Sequence, residues 1–414
     1  MYGNFQTYDH PFGSSIYYNG YLQENLSGYG GRTKFVFAPT LGTIKSRFSL
    51  GGEYQYQNQL GNTFTIINDQ PGTWPEPGDL YQNDIVKSTS NMLFAQAEFD
   101  LPAKTFLTIG ASYMRLKYDI LDLYKDPAHV DYSGLLQFPD KISPRIGLVK
   151  LINDHIAVHG SLSSGYSPPP VWEINNYDGT LNKDIKPEDG LNYEAGIRGD
   201  FLHKRFNFDI TAYQMYLKNA IVPVAQPNGT MAYKNAGLTS QQGIEAFLSF
   251  LVLNHPEKAI SLLKPWVSYT YNNYIFKDYE TQSFDWGSSS VITVDHSGNH
   301  VTGVVPHSLS AGVDLHTRYG LYFNTLLYYY DRIPLNDANT YYSDSYTLLN
   351  MKLGCRKDIK RCRVDIFGGI NNMTDTNYSS LLLYNADANG SPQFYNPSAG
   401  VNYYGGLSLT YNLK

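Results

Sequence analysis

Several segments of this chain alternate strictly between apolar and polar residues, and this pattern restricts the possible folds more than any other feature. Between Leu191 and Phe201, the apolar positions are separated by Asn192, Glu194 and Arg198. Successive side chains of a β-strand point to opposite faces, so each such segment has one apolar and one polar face. No segment shows the periodicity of an amphipathic helix. About 15 strands are predicted, within 34–37, 44–57, 93–100, 107–113, 145–151, 156–164, 191–201, 205–217, 244–250, 266–274, 309–316, 321–330, 346–355, 363–370 and 403–413, or 16 to 17 if 15–25 adds one.

The connections between these strands alternate in length. Short turns are predicted at 102–105, 153–155, 202–204, 254–258, 317–320 and 356–361, and long polar loops at 121–142, 167–189, 223–240, 277–306, 333–345 and 374–400. Outer-membrane barrels have short periplasmic turns and long extracellular loops, and closure satisfies every backbone group in lipid. The sequence therefore predicts an all-β fold, an antiparallel transmembrane outer-membrane β-barrel.

The composition agrees with a membrane barrel. Tyr occurs 37 times among 414 residues, and charged residues make up only 16%, against about 25% in soluble domains. Tyrosine rings are stable at the two interfaces of a membrane, where they form girdles. The alternative is the adhesive surface of a soluble glycan-binding β protein, which leaves the alternation of loop lengths unexplained.

Other classes of protein are excluded or disfavoured. A net charge of −6 gives no basic field for nucleic acid, and no stretch reaches the roughly 18 apolar residues of a spanning helix. Two cysteines exclude a disulfide scaffold. The first residues show no signal peptide. We predict neither an enzyme nor a cofactor, because no nucleophile elbow or catalytic carboxylate pair is visible.

Several motifs resemble the barrel of TonB-dependent outer-membrane receptors, in order and over about 270 residues. They are SPRIGL at 143–148, IAVHGSLSSGYSPP at 156–169, IKPEDGLNYEAGIRG at 185–199, NAG at 235–237 with GIE at 243–245, and INNMTDTNY at 370–378. The local pattern is most similar to iron-type receptors of Bacteroidota. The resemblance implies a 22-strand barrel, an N-terminal plug domain and a partner, the TonB energy complex.

The resemblance covers only part of such a receptor. Residues 1–414 look like the C-terminal portion of the barrel, without the plug, and the chain ends on Lys414 where an aromatic residue is usual. A truncated product, a split receptor completed by a second chain, and a smaller self-closing barrel are all compatible with this. We expect the open edge of the sheet at the first strand, around 34–37.

Three functions follow from this interpretation. The first is an active-transport receptor that captures a scarce small-molecule solute, a ferric siderophore or similar iron chelate, at its extracellular loops. The second is a porin-like passive pore, and the third is a surface scaffold completed by a partner chain. All three place the protein in outer-membrane lipid of a Gram-negative cell, and the sequence does not identify the solute.

Aromatic residues of the long loops are candidate ligand-binding residues. Tyr166, Trp172 and Tyr177 flank a run of three prolines, and Trp286 lies in another long loop. Such rings stack on aromatic or sugar ligands at an extracellular mouth. Packing within a girdle or loop is the competing interpretation.

Histidines and cysteines give two further candidates. His296 and His300 lie four apart in a long loop and could bind ligand or a transition metal, although a solvated loop is favoured and no metal site is predicted. Cys355 and Cys362 flank a basic turn, and a disulfide forms if the two residues pair directly across it.

The strand from Leu191 to Phe201 yields a prediction about orientation. Leu191, Tyr193, Ala195 and Ile197 should face lipid, while Asn192, Glu194 and Arg198 should face the lumen. Glu194 and Arg198 are too far apart along one strand for direct contact, so each should find a partner on a neighbouring strand.

Overall fold

The structure is a computed structural model that describes residues 20–67, 76–127, 129–174, 181–225, 231–285, 290–385 and 395–412. One antiparallel sheet of 18 strands dominates it, and without the short β2, β6 and β14 a meander of 15 remains. The meander consists of β1 (Gly20–Phe37), β3 (Ile44–Ile67), β4 (Glu76–Leu101), β5 (Thr105–Asp122), β7 (Lys141–Leu151), β8 (Ile156–Ser167), β9 (Glu188–Phe201), β10 (Phe206–Lys218), β13 (Leu238–Phe250), β15 (Ile260–Asp278), β18 (His307–Thr317), β19 (Leu321–Tyr330), β20 (Tyr346–Ile359), β21 (Cys362–Asn371) and β24 (Asn402–Tyr411).

The remaining elements are short and lie mostly in the connections. Among the described residues, no helix has the length and apolar character needed to span a membrane. These elements are β2 (Thr40–Leu41), β6 (Gly134–Gln137), α1 (Val171–Ile174), β11 (Ile221–Ala225), β12 (Met231–Asn235), β14 (Leu253–Asn254), β16 (Glu280–Asp285), β17 (Ser290–Asp295), β22 (Ser379–Leu382) and β23 (Tyr395–Pro397).

The predicted meander is confirmed, and each of its 15 strands overlaps one predicted segment. The described part of 15–25 belongs to β1, so it adds no separate strand. The predicted strands 44–57 and 93–100 were too short for the hairpin of β3 and β4, which we call the tall hairpin. Its strands have 24 and 26 residues, more than twice the about 10 that cross a membrane.

The register shows which residues of neighbouring strands lie on the same face of the sheet. Directly paired residues lie on one face of the sheet, so a row of partners can be followed from strand to strand. One row is polar and consists of Ser161, Glu194, Tyr213, Gly243 and Asn272. The adjacent row lies on the opposite face and is apolar, with Gly160, Ala195, Ala212, Ile244 and Tyr271.

Aromatic side chains on the apolar face are sorted along the strands. Near the short turns they are mainly phenylalanines, at 37, 48, 99, 201, 206, 208 and 250, and near the long loops they are tyrosines, at 29, 54, 56, 113, 193, 216, 269, 271, 329 and 403. A ring with a hydroxyl group suits a membrane interface, where one end is apolar and the other is wet. The two bands mark the lower and upper limits of the apolar surface, as in outer-membrane barrels.

Candidate functional site

The polar face of the sheet contains a cavity of about 450 Å³, lined among others by Gln96, Arg145 and Glu194. Glu194 accepts hydrogen bonds from the Ser161 hydroxyl on β8, at 3.2 Å, and from the Asn192 amide, at 2.6 Å. Its charge is therefore stabilised from the neighbouring strand. Arg198 is exposed, lies opposite Asp209, and forms no ion pair among the described residues.

The neighbouring positions of β9 show the opposite environment. Leu191, Tyr193 and Ile197 are 39%, 44% and 37% exposed, and Ala195 is also exposed. All four side chains are exposed on the surface of the sheet, although three are large and apolar. Such exposure is costly in water and favourable in lipid.

Four tyrosines form a stack at the long-loop end of the polar face. The Tyr330 ring lies 5.3 Å from that of Tyr346, which lies 5.1 Å from that of Tyr378, measured between centroids. Tyr328 extends the row at 6.4 Å from Tyr330. All four rings are half-buried, so ring surface remains open to a ligand. We call this group the tyrosine stack.

The long loops pack against one another at the same end. A buried cluster joins the tall hairpin and β5 to the 123–140 loop, to α1 and to the segment before β9. Its members are Val86, Leu116, Tyr118, Ile120, Tyr132, Phe138, Ile174 and Ile185. A second cluster consists of Ala220, Val222, Ala236, Phe276 and Tyr279. These two clusters and the hydrogen-bond network around Asp337, described in the next paragraph, together form what we call the loop collar.

Buried Asp337 is the centre of a hydrogen-bond network between three long loops. Its carboxylate accepts hydrogen bonds from the Tyr279 hydroxyl at 2.9 Å, the Thr302 hydroxyl at 2.5 Å and the Asn385 amide at 3.2 Å. Its backbone carbonyl accepts a further bond from Asn299 at 2.8 Å. These donors compensate the burial of the charge, and they hold the loops after β15, β19 and β21 together.

Of the aromatic candidates, Tyr166 lies near the end of β8, and Trp172 lies in the connection between β8 and β9. The Tyr166 hydroxyl donates to the Pro139 carbonyl at 2.8 Å, which ties β8 to the preceding loop. Trp172 lies in α1, but its side chain is outside the described residues, as are Tyr177 and Trp286. A ligand-binding role for these residues stays a prediction.

The two candidate histidines have separate environments. His296 is buried against the Tyr279 ring and shares a hydrogen bond with the Thr281 hydroxyl at 2.8 Å. His300 forms a backbone bridge with Ile275, and its backbone N–H donates to the Asn339 side chain. No group of three or more metal-ligating side chains occurs among the described residues.

The cysteines differ from the expected disulfide. The turn of this hairpin has only two residues, Lys360 and Arg361, and the register places Cys362 opposite Ile359 and Cys355 opposite Ile366. Both thiols are free. The charged residues after Cys355 continue the strand, so the two cysteines do not face each other.

The carboxyl group of Glu173 in α1, next to Ile174 of the first collar cluster, has a pKa that lies close to neutral pH. Partial burial, and secondarily the nearby charge of Glu188, raise the pKa of Glu173 to about 7. Both effects disfavour the ionised form. Glu188 itself accepts a hydrogen bond from the Ile221 backbone N–H at 2.9 Å. The site can therefore change its charge between mildly acidic and neutral conditions.

Comparison with known proteins agrees with this architecture. The profile of the family described as "TonB dependent receptor-like, beta-barrel" matches residues 1–373, and the chain belongs to that family. Its strands form an outer-membrane β-barrel wall.

Individual relatives are distant. The ferripyoverdine receptor of Pseudomonas aeruginosa is 28% identical over 152 residues, which cover 33% of this chain and 18% of the receptor. The ferric-pyoverdine 358 receptor of Pseudomonas putida is 26% identical over 204 residues, 46% of this chain and 23% of the receptor. The siderophore receptor PiuA from Acinetobacter baumannii has the same fold, with a TM-score of 0.72 and 16% identity over 94% of this chain and 56% of that chain. The chain thus spans about half the length of that solved receptor.

Sequence reasoning missed the tyrosine stack and the Asp337 network. The stack had a weak signal, because Tyr328 and Tyr330 alternate on one strand and Tyr346 begins the next. The network had none, since its residues come from loops whose approach depends on the whole sheet.

Proposed function

We propose that this chain forms the barrel wall and loop collar of a receptor that captures an iron chelate, such as a ferric siderophore, at the extracellular side. In this proposal the polar face lines the lumen, and import is driven by TonB through a plug. The tyrosine stack carries the proposal, because it presents open ring surface on that face at the long-loop end. Two of the matched relatives are receptors for ferripyoverdine and ferric pyoverdine, and this supports the choice of solute.

The wall also has to be closed in the membrane. Among the described strands, β1 pairs only with β3 and β24 only with β21 in the main sheet. Unpaired backbone groups cost several kcal/mol each in lipid. We propose that further strands, on the same or a second polypeptide, close the barrel and that a plug accompanies them.

Uptake of radioactive iron tests the function. Cells that express the protein should accumulate iron from a ferric chelate, and a protonophore should stop this accumulation by removing the energy supply at the inner membrane. Uptake that continues unchanged with the protonophore would establish a passive pore. Absence of any uptake, together with co-purification of a separate barrel segment, would favour the scaffold.

The affinity of three variants for the ferric chelate tests the role of the tyrosine stack. Tyr330→Ala should weaken binding of the chelate about threefold to tenfold, the worth of a ring contact, while Tyr330→Phe keeps the ring and most of the affinity. Tyr329→Ala is the matched control, because Tyr329 lies on the opposite face of the same strand. Equal losses for Tyr329→Ala and Tyr330→Ala would contradict a ligand-binding role of the stack.

A further inference from the structure

A groove of about 300 Å³ lies along β7 and β8. The side chains that line it from the apolar face are Ile146, Leu148, Lys150, Val158 and Leu162, and Gly160 lies between them. The groove therefore belongs to the surface that faces lipid, and it is separate from the tyrosine stack and the loop collar.

Gly160 forms the floor of the groove, and its backbone does not require a glycine. A Cβ at this position would meet nothing nearer than the Glu194 carbonyl oxygen, at 3.4 Å, which is ordinary contact. At Gly199, by contrast, a Cβ would lie 2.5 Å from the His155 carbonyl oxygen. Glycine within a strand weakens it, and it often marks a site where a ligand approaches closely.

A lysine lies at the short-turn end of the groove. Lys150 is the next-to-last residue of β7, and it pairs with Val158 on the apolar face. Its ammonium donates to the Ala103 carbonyl of the adjacent turn, which leaves two of its three donors. Among the described residues Lys150 forms no ion pair with a carboxylate.

Lys150 lies at about the same height along the strands as the phenylalanines near the short turns, which form the lower aromatic band. Val158 lies two residues from Ile156, which pairs with Gly199, and Gly199 pairs with Phe208 of that band. Short turns of outer-membrane barrels are periplasmic. The free donors of Lys150 are thus at the depth of lipid phosphates in the periplasmic leaflet.

We propose that this groove binds one acyl chain of a phospholipid of the periplasmic leaflet, and that Lys150 binds its phosphate group. Surrounding lipid tails are as apolar as the groove, so burial alone selects no particular molecule. The shape of the groove above Gly160 and the charge of Lys150 supply the selection together.

Native mass spectrometry of the full chain in detergent, titrated with a phosphatidylglycerol, tests the proposal. Wild type should retain one lipid more tightly than any other. Gly160→Leu fills the groove and should remove this first bound lipid, whereas the matched variant Gly160→Ala should leave it. Lys150→Gln should weaken its binding about fivefold, the worth of one basic residue at a membrane surface.

Two outcomes would overturn the proposal. One is an unchanged first lipid in both Gly160→Leu and Lys150→Gln. The other is a dimer of the wild-type chain that Gly160→Leu dissociates, since a second copy would then cover the groove. A lipid bound at the edges of the sheet, at β1 or β24, would be retained equally by wild type and by all three variants. A loss of the first lipid in Gly160→Leu or Lys150→Gln therefore reports on the groove. If Gly160→Leu does not fold, Lys150→Gln alone decides the question.

Discussion

The membrane wall and the loop collar are stabilised in different ways. In the wall, from β7 to β10, each strand pairs with the next along the chain, and the apolar side chains face lipid. In the collar, the decisive contacts join distant residues. Tyr279 and Asp337 are 58 positions apart, and Asp337 and Asn385 are 48 apart. The wall depends on a local pattern, and the collar depends on packing between loops that the wall brings together.

The largest effect should come from a truncation inside the collar. Ile174 is 0% exposed, and Ile174→Ala should destabilise the packed loops by about 2 to 5 kcal/mol because it leaves a cavity. Ile197→Ala in the wall should cost much less, since lipid fills the vacated space. Deuterium uptake of 131–138 and 181–187 measures the difference. Similar uptake in both variants would remove the distinction between collar and wall.

A charge placed on the wall should have the next largest effect. Ala195→Arg puts a guanidinium on the lipid-facing row of β9 and should cost about 2 to 4 kcal/mol at the membrane midplane. Asn192→Arg is the control, because position 192 lies on the polar face next to Glu194. Urea unfolding in lipid vesicles compares the two variants. If Asn192→Arg is the more damaging one, the assignment of the two faces is wrong.

A change at the hub of the collar should have a moderate effect. Asp337→Asn removes one of the two acceptor oxygens that Tyr279 and Thr302 use, and an unsatisfied buried group costs about 1 to 3 kcal/mol. We expect local loosening of the loops after β15 and β19, visible as faster proteolysis, while the melting of the wall is unchanged. Asp344→Asn, at an exposed position in the same loop, is the control. Equal cleavage rates in both variants would argue against a network centred on Asp337.

The wall was largely predictable from the sequence, since alternation reports directly which face is apolar. The prediction failed where that constraint ends. The upper part of the tall hairpin rises beyond the membrane, and residues such as Gln57 and Asn58 or Lys87 and Ser88 are polar on both faces. Alternation therefore disappears there although the pairing continues. The position of the two-residue turn between the cysteines was hidden for the same reason, because 356–361 are mostly charged.

The smallest expected effect is a pH dependence of stability. It should appear in the packed loops around Glu173 and not in the wall. Folding raises the pKa of Glu173 from an ordinary carboxyl value to about 7, through desolvation and then the charge of Glu188. The packed loop therefore binds this proton more tightly than the unpacked loop does. The stability that protonated Glu173 gives to the packed loop is fully present below about pH 4.5 and is lost as the pH rises through about 7.

The magnitude should stay below about 1 kcal/mol, because solvent screens a partly exposed carboxyl group. Glu173→Gln should abolish this pH dependence in deuterium uptake of 181–187, after correction for intrinsic exchange, whereas Asp184→Asn at an exposed position of the same loop should keep it. Peptides of the wall between 191 and 199 should show no difference between the variants at any pH. If the pH dependence persists in Glu173→Gln, another titratable group causes it, and the burial of Glu173 near the charge of Glu188 does not.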